Sequence, residues 1–219
     1  MSRGVIAQLR DIVPIRPLTR TEAHYIAERQ AMLLLKLLGI TDGPVDERAI
    51  IELPRMEVVR RSPWPSSGAT QWINGRWVVI LNGSEPAVRQ RFSLSHELKH
   101  IIDHRFVTII YDRIPADQRH AFIESTCDYF AGCLLMPRPW VKRAWTTQTQ
   151  RLDLLARRFH VSQAAMATRL SQIGLTEPTP RCARPSRDLA VRAITKSAPW
   201  TSYQRTASPL LKLHPELVT

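Results

Sequence analysis

The chain has 219 residues, 44% of them hydrophobic, with 16 Pro and 8 Gly, which is enough for one domain with a proper core. Lys and Arg outnumber Asp and Glu by 31 to 19, for a net charge of +12 and a pI near 10.6. This composition excludes a disordered or collagen-like chain. The longest apolar run, around Ala31 to Leu38 and broken by Lys36, is far short of the roughly 20 residues a membrane span needs. Cys127, Cys133 and Cys182 form an odd, sparse set, as expected in a reducing, cytoplasmic compartment. Residues 1–15 lack the continuous apolar core of a cleavable signal. The positive charge first points to nucleic acid, but residues 181–219 carry seven Lys/Arg against Asp188 and Glu216, so +5 of the +12 lies there. The rest is scattered without a basic block.

Residues 1–20, with Pro14 and Pro17, are expected to form a flexible lead-in. Thr21 is placed to cap a helix running through Leu38, with Gly39 as its stop. Pro44-Val45-Asp46 opens a short helix that Pro54 ends. Met56 to Arg60 reads as a strand and Ser62 to Ser67 as a loop. Gln71 to Ile73, Asn74-Gly75 and Trp77 to Leu81 read as a β-hairpin, since Asn-Gly is the strongest short hairpin signal. A long helix follows from about Pro86 to His104, and a second from about Ala116 to Met136, closed by Pro137. Leu152 to Ile173 has the cadence of a helix-turn-helix pair. From residue 177 onward the chain is a Pro- and Arg-rich tail, with a short helix expected over Asp188 to Thr195.

The decisive stretch is Ser95-His96-Glu97-Leu98-Lys99-His100. His96 and His100 stand at i and i+4, so both imidazoles leave one helix face and can bind one Zn²⁺ at ~2.0–2.1 Å. Glu97 is placed to act as general base toward a metal-bound water. A zinc site needs a third protein ligand. The pattern H-E-x-x-H-x-x-G-x-x-H fails, because Asp103 and Phe106 occupy its Gly and last His positions. Glu124-Ser125-Thr126-Cys127-Asp128 resembles the gluzincin element E-x-x-S-D. There the Glu ligates zinc and the Asp, one turn on, holds a ligating His. Glu124 and Asp128 share a helix face, and a carboxylate on the outer N–H of His96 fixes its tautomer.

Arg89 to His100, then Glu124 to Asp128, then Phe130 to Pro137 closely resemble the ImmA/IrrE metallopeptidase family over about residues 21–175. Gly43 to Asp46 and Val78 to Asn82 resemble its further landmarks. The resemblance implies a cytoplasmic gluzincin-like peptidase with an α+β, zincin-like core. It also implies that the substrate is a helix-turn-helix (XRE-type) repressor, whose cleavage switches on the genes it silences. His96, His100 and Glu124 would ligate one Zn²⁺ (Mn²⁺ is the alternative ion), Glu97 would be catalytic, and Asp128 would support His96. Lys99 departs from the usual Gly, Cys127 from the Ser, and no long sensor domain follows residue 175. His104 matches a histidine often seen in the family. It lies about 12 Å along the axis from His96, so it is expected to support the site from behind the ligands or to cap the helix. His120 and Tyr129 are candidates for stabilising an oxyanion, with surface and core roles as the alternatives. A cysteine-ligated metal is a further alternative to buried, small apolar roles for Cys127 and Cys133.

The expected organisation is a flexible segment over 1–20, a metallopeptidase domain over 21–145, a helix-turn-helix-like element over 146–176 and a tail over 177–219. Two rivals stay open: a DNA-binding regulator, and a metal-dependent sensor or toxin–antitoxin partner that binds without cutting. In the helix-turn-helix-like element His160 occupies the turn position usually given to Gly, so it is expected at positive φ. Val161, Ala165 and Leu170 should pack it on the catalytic helices as a scaffold or substrate-docking element. Only Gln163 could reach a base edge, while Arg157, Arg158 and Arg169 could touch phosphates and give weak, salt-sensitive binding. The strand Arg76 to Leu81 could add an extended substrate as a neighbouring strand.

Overall fold

In the computed structural model the described residues are 4–176, so the tail from residue 177 and its expected helix over Asp188 to Thr195 lie outside them. The fold is mixed α+β: helices packed around one small sheet. None of the described helices is long and apolar enough to cross a membrane.

From residue 4 onward the lead-in is folded and not a flexible segment. Helix α1 (Val5–Asp11) buries Leu9 completely, and Val13 and Leu18 behind it are also in the core. The two prolines end this helix without preventing it, since proline removes only its own N–H and fixes its own φ. The Arg10 guanidinium donates to the carbonyls of Ile101 and Ile102 at 2.6–3.1 Å, satisfying orphan groups near the end of a later helix. Helix α2 (Arg20–Leu37) is capped by Thr19, two residues before the expected Thr21. Thr19 accepts from the Glu22 amide while Glu22 accepts from Thr19, a reciprocal box that outcompetes Thr21. Gly39 ends it at φ +68°. The next helix is shorter than expected, with α3 covering only Arg48–Ile51.

Strands β1 (Met56–Arg61), β2 (Gly68–Ile73) and β3 (Arg76–Asn82) form one sheet in the order β1-β3-β2. The hairpin turn has both Asn74 and Gly75 at positive φ, as the right-handed twist of the flanking strands requires. The hairpin pairs β2 antiparallel to β3, and β3 pairs parallel to β1, Val58 opposite Val79. Central β3 therefore has both edges occupied and cannot add a substrate strand. The unpaired edges belong to β1 and β2.

Helix α4 (Ala87–Asp103) packs on the sheet and on α6 (Ala116–Leu135), which also lies along α2. Leu94, Leu98, Ile101, Phe130 and Leu134, all fully buried, form the centre of the core. A short helix, α5 (Val107–Ile110), precedes α6, and α7 (Arg138–Thr147) follows it. Neither was expected. Pro137, read as a terminator, is also the N-cap of α7, because proline suits the unbonded first turn of a helix.

Helices α8 (Leu152–Arg158) and α9 (Gln163–Gln172) form the helix-turn-helix-like pair, with His160 at φ +49°. The division at residues 145 and 146 falls inside α7. Leu155, Phe159, Met166 and Leu170 belong to the same core cluster as α4 and α6, so the pair is part of one packed body. Buried Arg91 on α4 clamps its turn by donating to the carbonyls of Val45, Phe159 and His160. Arg169, expected among phosphate-touching residues, is 1% exposed and donates to the Met136 carbonyl at 2.9 Å. Arg157 and Arg158 pair with Asp153 and Asp42.

Candidate metal centre and active site

Four turns of α4 carry two different faces. Leu94, Leu98 and Ile101 face the core, and the resulting rotation leaves His96, Glu97 and His100 toward α6 and β2. Across the gap, α6 presents Glu124 and Asp128 one turn apart. The His96 and His100 Nε2 atoms are 3.1 Å apart, and the Glu124 carboxylate lies 3.5 Å from the first and 3.3 Å from the second. Tetrahedral coordination with bonds of ~2.0–2.2 Å separates neighbouring donors by roughly 3.3–3.5 Å. The three side chains therefore already stand at the spacing of ligands around one small cation.

Asp128 Oδ1 is 2.7 Å from His96 Nδ1. A carboxylate can only accept, so Nδ1 carries a proton and Nε2 is the ring nitrogen that faces His100 and Glu124. Burial works against charge on His96, but hydrogen bonds with Asp128 and Glu124 and the Glu97 charge outweigh it and raise its pKa to about 9. Burial likewise opposes the Glu124 carboxylate, while hydrogen bonds from His100 and His96 hold it far below the usual carboxylate range. Negative charge around the two Nε2 atoms favours positive charge there, carried by protons or by a cation that replaces them, and the set of two imidazoles and a carboxylate fits a divalent metal.

Cys127 also lies near, its Sγ within 4.8 Å of the imidazole donors. Burial pushes its thiol well up, with the Asp103 charge acting in the same sense. Burial thus disfavours the thiolate that a metal ligand requires, whereas Glu124 is held as a carboxylate.

The other expected residues fall elsewhere. His104 does not join the donor cluster. It is exposed at the C-cap of α4, its ring edge-on to Trp77 with the centroids 5.0 Å apart, and Trp77 in turn meets Trp72. It stands two turns beyond His96, past the last residue of the helix, so it caps the helix and pads the hairpin. His120 is an exposed neighbour of Glu124 at 3.9 Å. Tyr129 donates to Glu28 at 3.1 Å and stacks on His24, away from the histidine pair.

Two residues that drew no attention in the sequence meet Glu97. Thr70 Oγ1 donates to Glu97 Oε2 at 2.7 Å, and a Cβ placed on Gly68 would lie 2.9 Å from Glu97 Oε1. Both belong to β2. The only available signal was the alternation of the hairpin, which puts residues 68, 70 and 72 on one face. Beside Asp128 a cleft of about 400 Å³ opens between α4, α6 and α9, lined by Val88, Phe92, Ser125, Met136 and Ala165.

The family described as Peptidase_M78, IrrE N-terminal-like domain, matches residues 52–171. The radiation response metalloprotease IrrE of Deinococcus radiodurans is 30% identical over 109 residues, 47% of this chain and 32% of that protein. Its counterpart in Deinococcus deserti is 30% identical over 101 residues, 43% of this chain and 36% of that protein. The matched part thus spans about a third of these curated relatives. A solved Mycobacterium tuberculosis transcriptional regulator shares the fold, with a TM-score of 0.55 at 21% identity, over 82% of this chain and 54% of that one.

Proposed function

Because the chain belongs to the Peptidase_M78 family, the IrrE N-terminal-like domain, we propose that it is a zinc-dependent endopeptidase. Its substrate is a helix-turn-helix repressor of the XRE type, and cutting that repressor releases the genes it silences. The observation that carries the catalytic part is the convergence of His96, His100 and Glu124, with Glu97 beside them.

In this reading His96, His100 and Glu124 hold the metal, which supplies Lewis-acid polarisation of the scissile carbonyl and acidifies the attacking water. Asp128 keeps the proton on His96 Nδ1 and so keeps Nε2 a ligand. Glu97 accepts the water's proton as the tetrahedral centre forms and passes it to the departing amine. The outer edge of β2 offers unpaired backbone groups to an extended peptide, and the cleft beside Asp128 takes an apolar side chain. With Arg169 buried and Arg157 and Arg158 paired, α8 and α9 act as scaffold and docking surface, not as a reader of DNA.

The test is to co-express the protein with each helix-turn-helix protein encoded beside its gene and to follow repressor length by mass spectrometry. A shortened repressor with the natural protein, and an intact one with Glu97→Gln, is the expected result. If no such protein is cut, or if casein is degraded as readily as the repressor, the reading fails.

A further inference from the structure

The contacts of β2 with Glu97 treat the two carboxylate oxygens differently. Oε2 receives the Thr70 hydroxyl at 2.7 Å, while Oε1 lies over Gly68, where a Cβ would come within 2.9 Å. Alternation along a strand puts residues 68 and 70 on the same face, so one rigid element reaches both oxygens. That element is hydrogen-bonded to the central strand, with Thr70 opposite Val79 and Gly68 opposite Leu81, two fully buried residues. Thr70 and Gly68 therefore cannot drift independently of the core.

We infer that β2 is the positioning device for the base: Thr70 pins Glu97 through Oε2, and Gly68, having no side chain, leaves Oε1 the room to be the oxygen that takes and returns the proton. The inference rests on the peptidase reading for its catalytic consequence, but the geometry it asserts can be tested separately. A glutamate side chain has three rotatable bonds, and ordering it toward one point costs entropy that a charge-assisted hydrogen bond offsets. Glu97 is mostly buried, so a carboxylate without the Thr70 hydroxyl would turn toward any other donor within reach, the imidazoles among them. Conversely, a methyl group at position 68 would meet the carboxylate itself, backed by strand backbone that cannot yield. Thr70 and Gly68 are positioning residues, since both act through Glu97.

The experiment compares Thr70→Val, Thr70→Ser and Gly68→Ala with the natural protein, each loaded with zinc. Valine keeps shape and strand preference but not the hydroxyl; serine restores the hydroxyl on a smaller side chain. Using the repressor found by co-expression, Thr70→Val is expected to lower kcat by about 10- to 100-fold with little change in KM. Thr70→Ser should recover most of that loss, and Gly68→Ala should lose about 100-fold. Zinc should stay at about one per chain in all three. A Thr70→Val enzyme with undiminished kcat, or a Thr70→Ser enzyme as slow as Thr70→Val, overturns the inference while leaving the peptidase reading intact. A crystal structure of Gly68→Ala supplies the second readout, independent of any substrate. Displacement of the Glu97 carboxylate away from β2 is expected, and an unmoved carboxylate overturns the inference even if no repressor is ever cut.

Discussion

Helix α4 carries two polar clusters, and they differ in how their charges are met. In one, Lys99, 1% exposed, donates to both oxygens of Asp103 at 2.6–2.7 Å and to Gln30 at 2.8 Å. Asp103 also accepts from the Tyr111 hydroxyl at 2.6 Å, and Gln30 donates to the Leu9 carbonyl. Donors and acceptors match within the chain, so this cluster is complete. In the other, His96, His100 and Glu124 meet at one point. The first cluster fixes α1 and α2 against the helix. The second gathers side chains of the types that ligate a metal, which is why one is framework and the other is the candidate site.

The comparison breaks most sharply if the ligand side tolerates loss. Glu97→Gln is expected to lower cleavage by at least about 10²–10⁴-fold while retaining about one zinc per chain, read by turnover and by metal analysis. His96→Ala should lose the metal itself, since two remaining ligands hold zinc weakly. A zinc-bound, active His96→Ala protein would remove the site.

The framework side should answer in stability. Lys99→Met leaves the Asp103 carboxylate buried without its ammonium partner, and breaking such a pair costs about 3–5 kcal/mol. Denaturant unfolding measures this, and zinc binding should survive in the fraction that stays folded. Removing the metal with a chelator is a smaller perturbation. Zinc at about 100 times its Kd contributes about 2.7 kcal/mol by mass action, so chelation should lower Tm in the natural protein and not in His96→Ala.

The exposed capping box of α2 shows what burial adds to such contacts. Hydrogen bonds from Arg16 and Thr19 bring the Glu22 carboxyl down to about 2 from 4.5. A depressed carboxylate pKa stabilises the folded state above the unfolded value and loses that effect as pH falls. The Tm gap between the natural protein and Glu22→Gln should therefore be small near neutrality and close between about pH 4.5 and 2. Solvent and salt screen this contact, unlike Lys99 with Asp103.

Local patterns were sufficient for the elements that announce themselves. The i, i+4 spacing of His96 and His100, the Asn74-Gly75 turn and positive φ at His160 follow from backbone geometry that neighbours along the chain impose. The α5 and α7 helices and the folding of the lead-in into α1 were not legible. α5 has four residues and α1 seven, and α7 starts on Pro137, so each depends on packing more than on its own propensity.

The sequence by itself determined which residue types could gather on α4 and α6, because helical periodicity carries His96, Glu97, His100, Glu124 and Asp128 to defined faces. Only the tertiary structure decided which of them meet, and what else meets them. The sheet order put β3 in the middle and β2 at the edge, so Thr70 and Gly68 reached Glu97, residues 27 and 29 positions away in the chain. The same packing sent Arg169 into the core and His104 onto Trp77. Periodicity is a property of neighbours along the chain. Sheet order and helix crossing depend on how whole apolar faces are buried together, and no local spacing encodes that.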